Sequence, residues 1–250
     1  MRTRKYKAIV SSDWNGCLAP GGPFDCISFH YPSLTPALTG IFKEYTSNRI
    51  TFQDALERLQ ELMPSPIDEG QMDAYIDSGF KTYAGVPELI ERLLSKDILF
   101  MINTTGPQGY FQRLFSKGLL PQIPAFSASP FIRYPRRKSD PALVYDLFDT
   151  SDKPKNTAKA MHAHDISARK VILIGDSGGD GPHFEWGNRV GAFLIASMTK
   201  ESLRNYCADR GITIRLHFGL SYPEAEEADL EKEMQVDFME LEAVFEEVCQ

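Results

Sequence analysis

Short, continuous apolar runs recur along the chain, separated by longer stretches whose apolar residues follow helical spacing. Such runs are typical of strands buried on both faces of a parallel sheet, because a strand that never meets water loses its alternation of apolar and polar residues. The pattern therefore predicts an α/β protein with a parallel sheet. The predicted strands cover residues 8–12, 97–102, 123–127, 171–174 and 191–196, with an edge strand at 212–217.

Apolar residues spaced three or four apart mark the helices between these strands. Residues 133–150 follow neither period, so we expect an irregular or hairpin-like segment there. The chain ends in an acid-rich stretch with helical spacing, which predicts a closing helix with a solvated face. The predicted helices of the main body cover residues 85–96, 108–117, 153–164, 202–209 and 225–248.

One stretch between the first and second strands interrupts the alternation of strands and helices. From about residue 33 to residue 83 the chain shows three amphipathic segments and no strand pattern. Thr51 and Asp54 open the second segment like a capping box. The pattern predicts a helical insert formed by residues 20–83, placed within an α/β core formed by residues 1–19 and 84–250.

Two of the predicted strands end on acidic residues. Asp13 follows the first strand, and Asp176 and Asp180 follow the run VILIG. Either turn alone also fits a tight loop, in which glycines adopt positive φ and Asp or Ser caps the next helix. Functional groups gather beyond the carboxyl ends of parallel strands, so the two turns together favour one shared site. Three clustered carboxylates repel one another unless a cation lies among them, which predicts a Mg²⁺ site.

Composition narrows the class of protein. The 250 residues carry a formal net charge of −7, which argues against nucleic acid or an anionic membrane as a main partner. The N-terminus lacks the apolar region of a secretory signal, and no apolar run reaches the length of a membrane span. The four cysteines have no ligand-like spacing and fit free thiols in a reducing compartment. We therefore expect a cytoplasmic enzyme, with its oligomeric state open.

The two acidic turns read DWNGC at residues 13–17 and GDSGGD at residues 175–180. They resemble the first and last of four motifs of the haloacid dehalogenase superfamily of phosphotransferases and hydrolases. The first motif, Asp-x-Asp-x-Thr or Ser, is matched in part, and the last, Gly-Asp-x-x-x-Asp, in full. The resemblance covers nearly the whole chain. It implies a Rossmann-like, doubly wound parallel sheet with the small all-helical cap of the phosphoserine phosphatase-like branch.

The two middle motifs also have counterparts, each with an alternative. The strand at residues 98–104 resembles the family's strand that ends in Ser or Thr, with Thr104 at the exit and Thr105 as the second candidate. Lys153 resembles the lysine that begins the helix before the last motif, and Lys155 competes with it. Both lysines would lie on the first turn of a helix, so the sequence leaves the choice open.

The resemblance implies a role for each matched residue. Asp13 would attack phosphorus and form an aspartyl phosphate, and Asp180 would hold the lysine or complete the metal shell. The Mg²⁺ ligands would be Asp13, the backbone carbonyl of Asn15 and Asp176. The contacts to the phosphoryl group of a small phosphorylated metabolite would come from Thr104, Thr105, Gly106 and Lys153.

The first motif departs from the family at two positions. Asn15 replaces the Asp that, in phosphatases of this family, protonates the leaving group and later deprotonates water. An amide cannot do either near neutral pH, and general acid–base catalysis is typically worth roughly 10²–10⁴-fold. Cys17 replaces the Thr or Ser that steadies the turn. The implied metal ligand at position 15 is a main-chain oxygen, so we expect metal binding to survive.

Three hypotheses follow from these departures. The first is a Mg²⁺-dependent phosphatase, whose substrate has a leaving group good enough to depart without help from Asn15. The second is a hydrolase of another bond, such as the C–P bond of phosphonoacetaldehyde. That chemistry needs a Schiff-base lysine, for which the insert offers only Lys43 and Lys81. The third is a catalytically impaired protein that binds a phosphorylated ligand, although the joint retention of Asp13, Asp176 and Asp180 argues against it.

Overall fold

The structure is a computed structural model that describes residues 4–22, 24–47, 49–223 and 229–249. The strands within these residues are β1 (Ala8–Ser12), β2 (Ile98–Pro107), β3 (Ala125–Ser129), β4 (Leu143–Asp146), β5 (Val171–Gly175), β6 (Phe193–Lys200) and β7 (Leu216–Tyr222). They form a seven-stranded sheet in the order β4-β3-β2-β1-β5-β6-β7, and every pairing is parallel. β1 therefore lies at the centre, between β2 and β5.

The helices are α1 (Asp25–His30), α2 (Thr35–Thr46), α3 (Phe52–Leu62), α4 (Glu69–Gly79), α5 (Val86–Ser95), α6 (Gln108–Lys117), α7 (Asp152–Ala163), α8 (Gly181–Val190), α9 (Glu201–Asp209), α10 (Leu230–Glu233) and α11 (Glu242–Cys249). Short 3₁₀ turns at Pro32–Leu34, Ala168–Lys170, Gly178–Asp180 and Phe238–Leu241 complete the described elements.

The helices cover both faces of the sheet. On β1, the buried side chain of Ile9 belongs to an apolar cluster with residues of α7, α8 and α9. Its neighbour Val10 points the other way, into a second cluster with residues of α5, α6 and α11. Successive side chains of a strand point to opposite faces, so an uninterrupted apolar run is what a sheet covered on both faces requires. The predicted doubly wound α/β sheet is confirmed.

All described elements between β1 and β2 are helical. Helices α2, α3 and α4 match the three predicted segments, and the capping box of α3 is present, with Asp54 N–H donating to Thr51 Oγ1 at 3.1 Å. The six-residue helix α1 was not predicted, because it follows directly on a Pro- and Gly-rich turn. The boundaries of the insert, residues 20 and 83, stay a prediction.

The insert is tied to the core by ion pairs between α4 and α6. The Arg113 guanidinium donates to both carboxylate oxygens of Asp73, at 2.7 and 2.8 Å, and its side chain is only 11% exposed. Lys117 and Asp77 repeat the contact one turn further along each helix, at 2.8 Å. A forked guanidinium–carboxylate pair fixes orientation as well as distance. The end of the insert nearest α4 is therefore firmly held against the core.

Two segments differ from the sequence-based expectation at the edges of the sheet. Residues 133–150 contain β4, which pairs in parallel with β3 and is not part of a hairpin. Its residues alternate between half-buried and exposed, so it lacks the apolar run of a central strand. The other edge strand, β7, begins at Leu216 rather than at residue 212 and alternates in the same way. Edge strands meet water on one side, which weakens their signal in the sequence.

Two helical predictions also needed correction. The predicted helix over residues 225–248 is broken, and residues 224–228 lie outside the described part of the chain. Asp237 adopts an extended backbone and accepts the Met239 N–H at 2.9 Å, which starts a new turn. Phe238 then stacks on Tyr83 with 5.7 Å between ring centroids. Helix α8 was not predicted, because Gly181 and Pro182 at its start and a glycine in its middle weaken the pattern.

None of the helices in the described part of the chain combines the length and the apolar character needed to span a bilayer.

We expect that replacing Gly85, where the insert returns to the core, lowers the stability of the protein. It precedes α5 with φ +74°, and a Cβ there would overlap the Asp237 carboxylate and lie 3.0 Å from the Met239 nitrogen. We expect Gly85→Ala to lower the free energy of unfolding by about 1–3 kcal/mol in urea titrations. Gly40 is the control, because it lies inside α2 and a Cβ there would have no atom within 4 Å. Gly40→Ala should raise stability by about 0.5–1 kcal/mol. Equal effects of the two substitutions would contradict this assignment.

Candidate active site

The acidic residues predicted to share a site do meet at the carboxyl edge of the sheet. β1 and β5 are neighbours, and the Asp13 N–H donates to the Ile174 carbonyl at 3.0 Å, so the two strand exits lie side by side. The 3₁₀ turn after Asp176 brings Asp180 back toward them. One carboxylate oxygen from each of the three residues lies within 4.8 Å of the other two, and all three residues are buried.

Lys153 lies among these carboxylates. Its side chain is 2% exposed, and its Nζ lies 2.6 Å from Asp180 Oδ1 and 3.2 Å from Asp13 Oδ1. Lys155 is 63% exposed and pairs with Asp152 on the outside of α7. Of the two candidates that the sequence left open, the structure brings Lys153 to the acids and leaves Lys155 at the surface.

The charged groups of this cluster shift one another's pKa values. Burial raises the pKa of Asp13, Asp176 and Asp180, and the Lys153 ammonium opposes that rise at Asp13 and Asp180. Burial alone would lower the pKa of Lys153, but the neighbouring carboxylates outweigh it and raise the pKa above its ordinary value. The lysine is therefore held as an ammonium, and its charge favours the ionised form of Asp13 against the effect of burial.

A second lysine, which the sequence analysis did not identify, reaches the same acids. Lys200 ends β6, its N–H donates to the Asp176 carbonyl at 2.8 Å, and its Nζ donates to Asp176 Oδ2 at 2.6 Å. The carboxylate of Asp176 outweighs partial desolvation and raises the pKa of Lys200. The predicted strand stopped at residue 196, whereas β6 continues to Lys200. The polar residues at its end concealed that continuation, and with it a cation at a strand exit.

The turn after Asp13 is held by its backbone. The Trp14 carbonyl accepts the N–H groups of Leu18 and Ala19 at 2.8 and 3.1 Å. Gly16 adopts φ +65°, and a Cβ there would lie 2.9 Å from Asp176 Oδ2, so the turn needs glycine to pass the acid. Cys17 is buried in this turn, and its carbonyl accepts the Ser197 hydroxyl at 3.0 Å. That contact from β6 steadies the turn at Cys17.

The residues at the end of β2 approach the site differently from one another. Thr104 is buried, and its Oγ1 accepts the Gly106 N–H at 3.1 Å within its own loop. Thr105 is half-buried and, together with Gly106, lines the cleft above Asp13. The structure thus presents Thr105 and Gly106 to the cleft, while the Thr104 hydroxyl shapes the loop that carries them.

A buried polar network lies behind Lys153. The Asn103 amide donates to the Lys153 carbonyl at 2.9 Å and to Thr157 Oγ1 at 3.0 Å, which ties β2 to the first turn of α7. His183 Nε2 lies 2.9 Å from the same Thr157 oxygen, and burial lowers its pKa well below the ordinary value. His183 is therefore a neutral packing residue of this network and does not face the cleft.

A cleft of about 560 Å³ opens over the acids, between the core and the helical insert. Its core side, called the floor here, carries Asp13, Asn15, Lys153, Asp176 and Lys200, and its insert side carries Phe24, Asp25, Leu38, Phe42, Lys43 and Tyr45. The core thus supplies most of the charged groups, and the insert supplies most of the apolar side chains. A small molecule with an anionic end and a less polar body fits this distribution.

The oxygen atoms at the floor of the cleft suit a hard divalent cation. Asp176 Oδ1 is buried and makes no hydrogen bond within the described residues, and Asp13 Oδ1 has only the charge contact with Lys153. Unpaired buried carboxylate oxygens are costly, and oxygen-only donor sets are those that Mg²⁺ prefers. The residues present therefore fit a Mg²⁺ ion bound by Asp13 and Asp176.

No protein-family model and no curated protein matches this sequence. Solved structures do match the fold. A phospho-aspartyl intermediate analogue of phosphoserine phosphatase aligns with a TM-score of 0.67 at 15% identity, over 96% of this chain and 99% of that one. A substrate-bound phosphoserine phosphatase complex aligns with a TM-score of 0.67 at 16% identity, over the same shares of the two chains.

A haloacid dehalogenase family hydrolase from Salmonella enterica subsp. enterica serovar Typhi aligns with a TM-score of 0.62 at 15% identity, over 86% of this chain and 68% of that one. Identities this low are evidence of shared fold. The chain has the fold of the phosphoserine phosphatase-like branch of the haloacid dehalogenase superfamily, as the four motifs predicted.

Lys153 should be essential to the stability of the site. Removing it leaves three buried carboxylates without their buried counter-ion, so we expect Lys153→Met to lower the free energy of unfolding by about 3–5 kcal/mol. Lys155→Met, on the same helix turn, should change it by less than about 0.5 kcal/mol. Urea titrations of both variants measure the difference. Similar losses for the two lysines would show that Lys153 does not balance the acids.

Lys200 should compete with a divalent cation for Asp176. Its ammonium occupies one oxygen of that carboxylate, so Lys200→Met should strengthen Mg²⁺ binding. A unit charge a few ångströms away in a solvated setting contributes on the order of 1 kcal/mol, or roughly a fivefold change in the dissociation constant. Isothermal titration calorimetry with MgCl₂ measures it, with Lys155→Met as the control. Weaker Mg²⁺ binding in Lys200→Met would contradict the competition.

Proposed function

We propose that the protein is a Mg²⁺-dependent phosphatase that moves the phosphoryl group of a small phosphorylated metabolite first to Asp13 and then to water. The observation that carries this proposal is the ion cluster at the floor of the cleft, in which Asp13 is kept beside the buried ammonium of Lys153. An ionised carboxylate facing a cleft is a nucleophile in position, and the surrounding cations reduce its repulsion from a phosphate dianion.

Each residue of the cluster has a part in this reaction. Asp13 forms a bond to phosphorus as the bond to the leaving oxygen breaks, and the acyl phosphate is then hydrolysed. Lys153 balances negative charge on the transferring group, and Asp180 holds Lys153 through the 2.6 Å contact between them. Thr105 would offer its backbone N–H and hydroxyl to phosphoryl oxygens, while Thr104 shapes the loop by accepting the Gly106 N–H.

Mg²⁺ would be bound by Asp13, Asp176 and the backbone carbonyl of Asn15. Such an ion lowers the repulsion between nucleophile and substrate and stabilises charge on the phosphoryl oxygens. The unpaired Asp176 Oδ1 supports this assignment. Asn15 contributes only its main chain to the metal, so an amide side chain is compatible with it.

Cleavage of a C–P bond is supported less well. That chemistry needs a lysine to form a Schiff base beside the nucleophile. Lys43 is exposed on the α2 wall of the cleft, and Lys81 is exposed and does not line the cleft. Neither is held at the floor beside Asp13, as Lys153 is. A purely ligand-binding role is also supported less well, because binding alone has no need of a buried Asp13 paired with Lys153.

We also propose that the protein works in the cytoplasm, with no nucleic acid or membrane partner. All four cysteines are buried, and none of them forms a disulfide. Cysteines that stay reduced are typical of reducing compartments, which supports a cytoplasmic location.

Phosphate release from a panel of phosphorylated metabolites tests the function. We expect turnover in the presence of Mg²⁺ that EDTA abolishes, and a loss of at least roughly 10⁴-fold in Asp13→Asn, which removes the nucleophile. Asp209→Asn, an exposed residue of α9, is the matched control and should retain full activity. Activity that survives in Asp13→Asn, or no phosphate release from any substrate although Mg²⁺ binds, would refute the phosphatase.

A further inference from the structure

We propose that Asp25 performs the proton transfers that Asn15 cannot, acting as the general acid and then the general base of the reaction. This inference rests on the proposed phosphatase function. It assigns the missing proton donor to the helical insert, at a position that lines the same cleft as Asp13.

Asp25 is fixed in place by a reciprocal turn. Its N–H donates to the Gly22 carbonyl at 2.9 Å, and its Oδ2 accepts the Gly22 N–H at 2.7 Å. Tyr75 of α4 donates its hydroxyl to the same Gly22 carbonyl at 3.0 Å. Because α4 is itself tied to the core through Arg113 and Asp73, the carboxylate of Asp25 stands on a supported segment rather than on a loose loop.

The second oxygen of Asp25 lies near the side chain of Asn15. The Cβ position of an alanine at Gly22 would lie 3.1 Å from Asp25 Oδ1 and 2.9 Å from Asn15 Nδ2, so both atoms border the same small space. Asn15 Oδ1 is buried and makes no hydrogen bond within the described residues. An acid at position 15 would put two carboxylates side by side, whereas an amide there tolerates a carboxylate at position 25. The amide at position 15 and the carboxylate at position 25 are therefore compatible neighbours.

The surroundings of Asp25 suit a group that carries a proton part of the time. Desolvation by the cleft walls raises the pKa of Asp25, and the bond from the Gly22 N–H only partly offsets it. Its ionisable neighbours are Cys26, Tyr75 and Tyr110, and burial raises the pKa of each, that of Cys26 to about 12. They stay neutral near pH 7 and neither hold Asp25 as an anion nor compete for its proton. The other charged groups that line the cleft are Asp13, Asp176, Glu201, Lys43, Lys153 and Lys200.

Asp25 gives up a proton in the first step of the reaction and recovers one in the second. In the first, Asp13 bonds to phosphorus, the bond from phosphorus to the leaving oxygen breaks, and protonated Asp25 gives that oxygen its proton and becomes a carboxylate. In the second, the Asp25 carboxylate takes a proton from water as the water oxygen bonds to phosphorus and the bond to Asp13 breaks. Hydrogen phosphate leaves, and both aspartates return to their starting states.

A series of phosphate monoesters with leaving groups of different basicity tests this role. A general acid matters most when the leaving oxygen is basic, so Asp25→Asn should slow alkyl phosphates by roughly 10²–10⁴-fold while slowing 4-nitrophenyl phosphate less than about tenfold. Asp77→Asn is the matched control. It removes a carboxylate of the insert that pairs with Lys117 outside the cleft, and it should leave every rate unchanged.

The pair can also be exchanged. In Asn15→Asp combined with Asp25→Asn, the cleft again holds one carboxylate and one amide, and we expect it to recover part of the alkyl phosphate activity lost in Asp25→Asn. The acidic limb of the pH profile of kcat/KM for an alkyl phosphate should stay in place in Asp25→Asn, while the basic limb, which reports the acid, should disappear.

Two results would decide against Asp25. One is an equal slowing of all substrates in Asp25→Asn, with an unchanged pH profile, which would indicate a structural role. The other is no slowing at all. Failure of the phosphatase proposal looks different: no substrate, including 4-nitrophenyl phosphate, would then show turnover that depends on Asp13. Melting curves and Mg²⁺ titrations of Asp25→Asn, expected to match the parent protein, show that the variant is folded.

Discussion

The ammonium of Lys153 between Asp13 and Asp180 is the interaction on which the rest of the site depends. Three carboxylates gather at the edge of the sheet because β1 and β5 are adjacent and both end in acid. Buried acids in such a group would take up protons and lose their chemistry, unless a cation were buried with them. Lys153 supplies that cation from α7, and Asn103 fixes the turn of α7 that carries it. The same ion cluster therefore balances the buried charges and would carry the proposed reaction.

Much of this could be predicted from the sequence, because central strands have a strong signal. The runs ending at Asp13 and Asp176 are continuous and apolar, and parallel strands place their exits at one edge of the sheet. The choice between Lys153 and Lys155 could not be made, since both are on one helix turn and only the packing of α7 decides which faces inward. Lys200 was missed for a different reason: polar residues end β6, and they hide how far the strand extends.

The edges of the molecule and the insert were harder to predict. β4 is only four residues long and half-exposed, so its pattern is that of a loop. Asp25 begins a six-residue helix after a Pro- and Gly-rich turn, and its nearness to Asn15 depends on how the chain reverses at Gly22. Contacts of this kind come from tertiary packing, which local periodicity does not encode. The insert also reaches the core through Tyr45, whose hydroxyl lies beside Gly179 in the turn that carries Asp180.

The insert and the core thus divide the work of the cleft. In the proposed reaction, the core supplies the nucleophile and the oxygen atoms that suit Mg²⁺ at strand exits, and the counter-ion from α7. The insert supplies the apolar wall and one carboxylate, held to the core by the Arg113–Asp73 pair. In this account the reacting residues belong to the core, and the body of the substrate contacts the attached helices. Substrate contacts can therefore change while the reacting residues stay the same.

The most direct test is to look for the phosphoryl group on Asp13 itself. The protein is mixed with Mg²⁺ and a turned-over phosphate monoester, quenched in acid within milliseconds, digested, and examined by mass spectrometry. We predict one phosphoryl group on the peptide that contains Asp13, absent without Mg²⁺ and absent in Asp13→Asn. Rapid turnover with no phosphoryl group on that peptide, or with the group on another residue, would contradict the central claim.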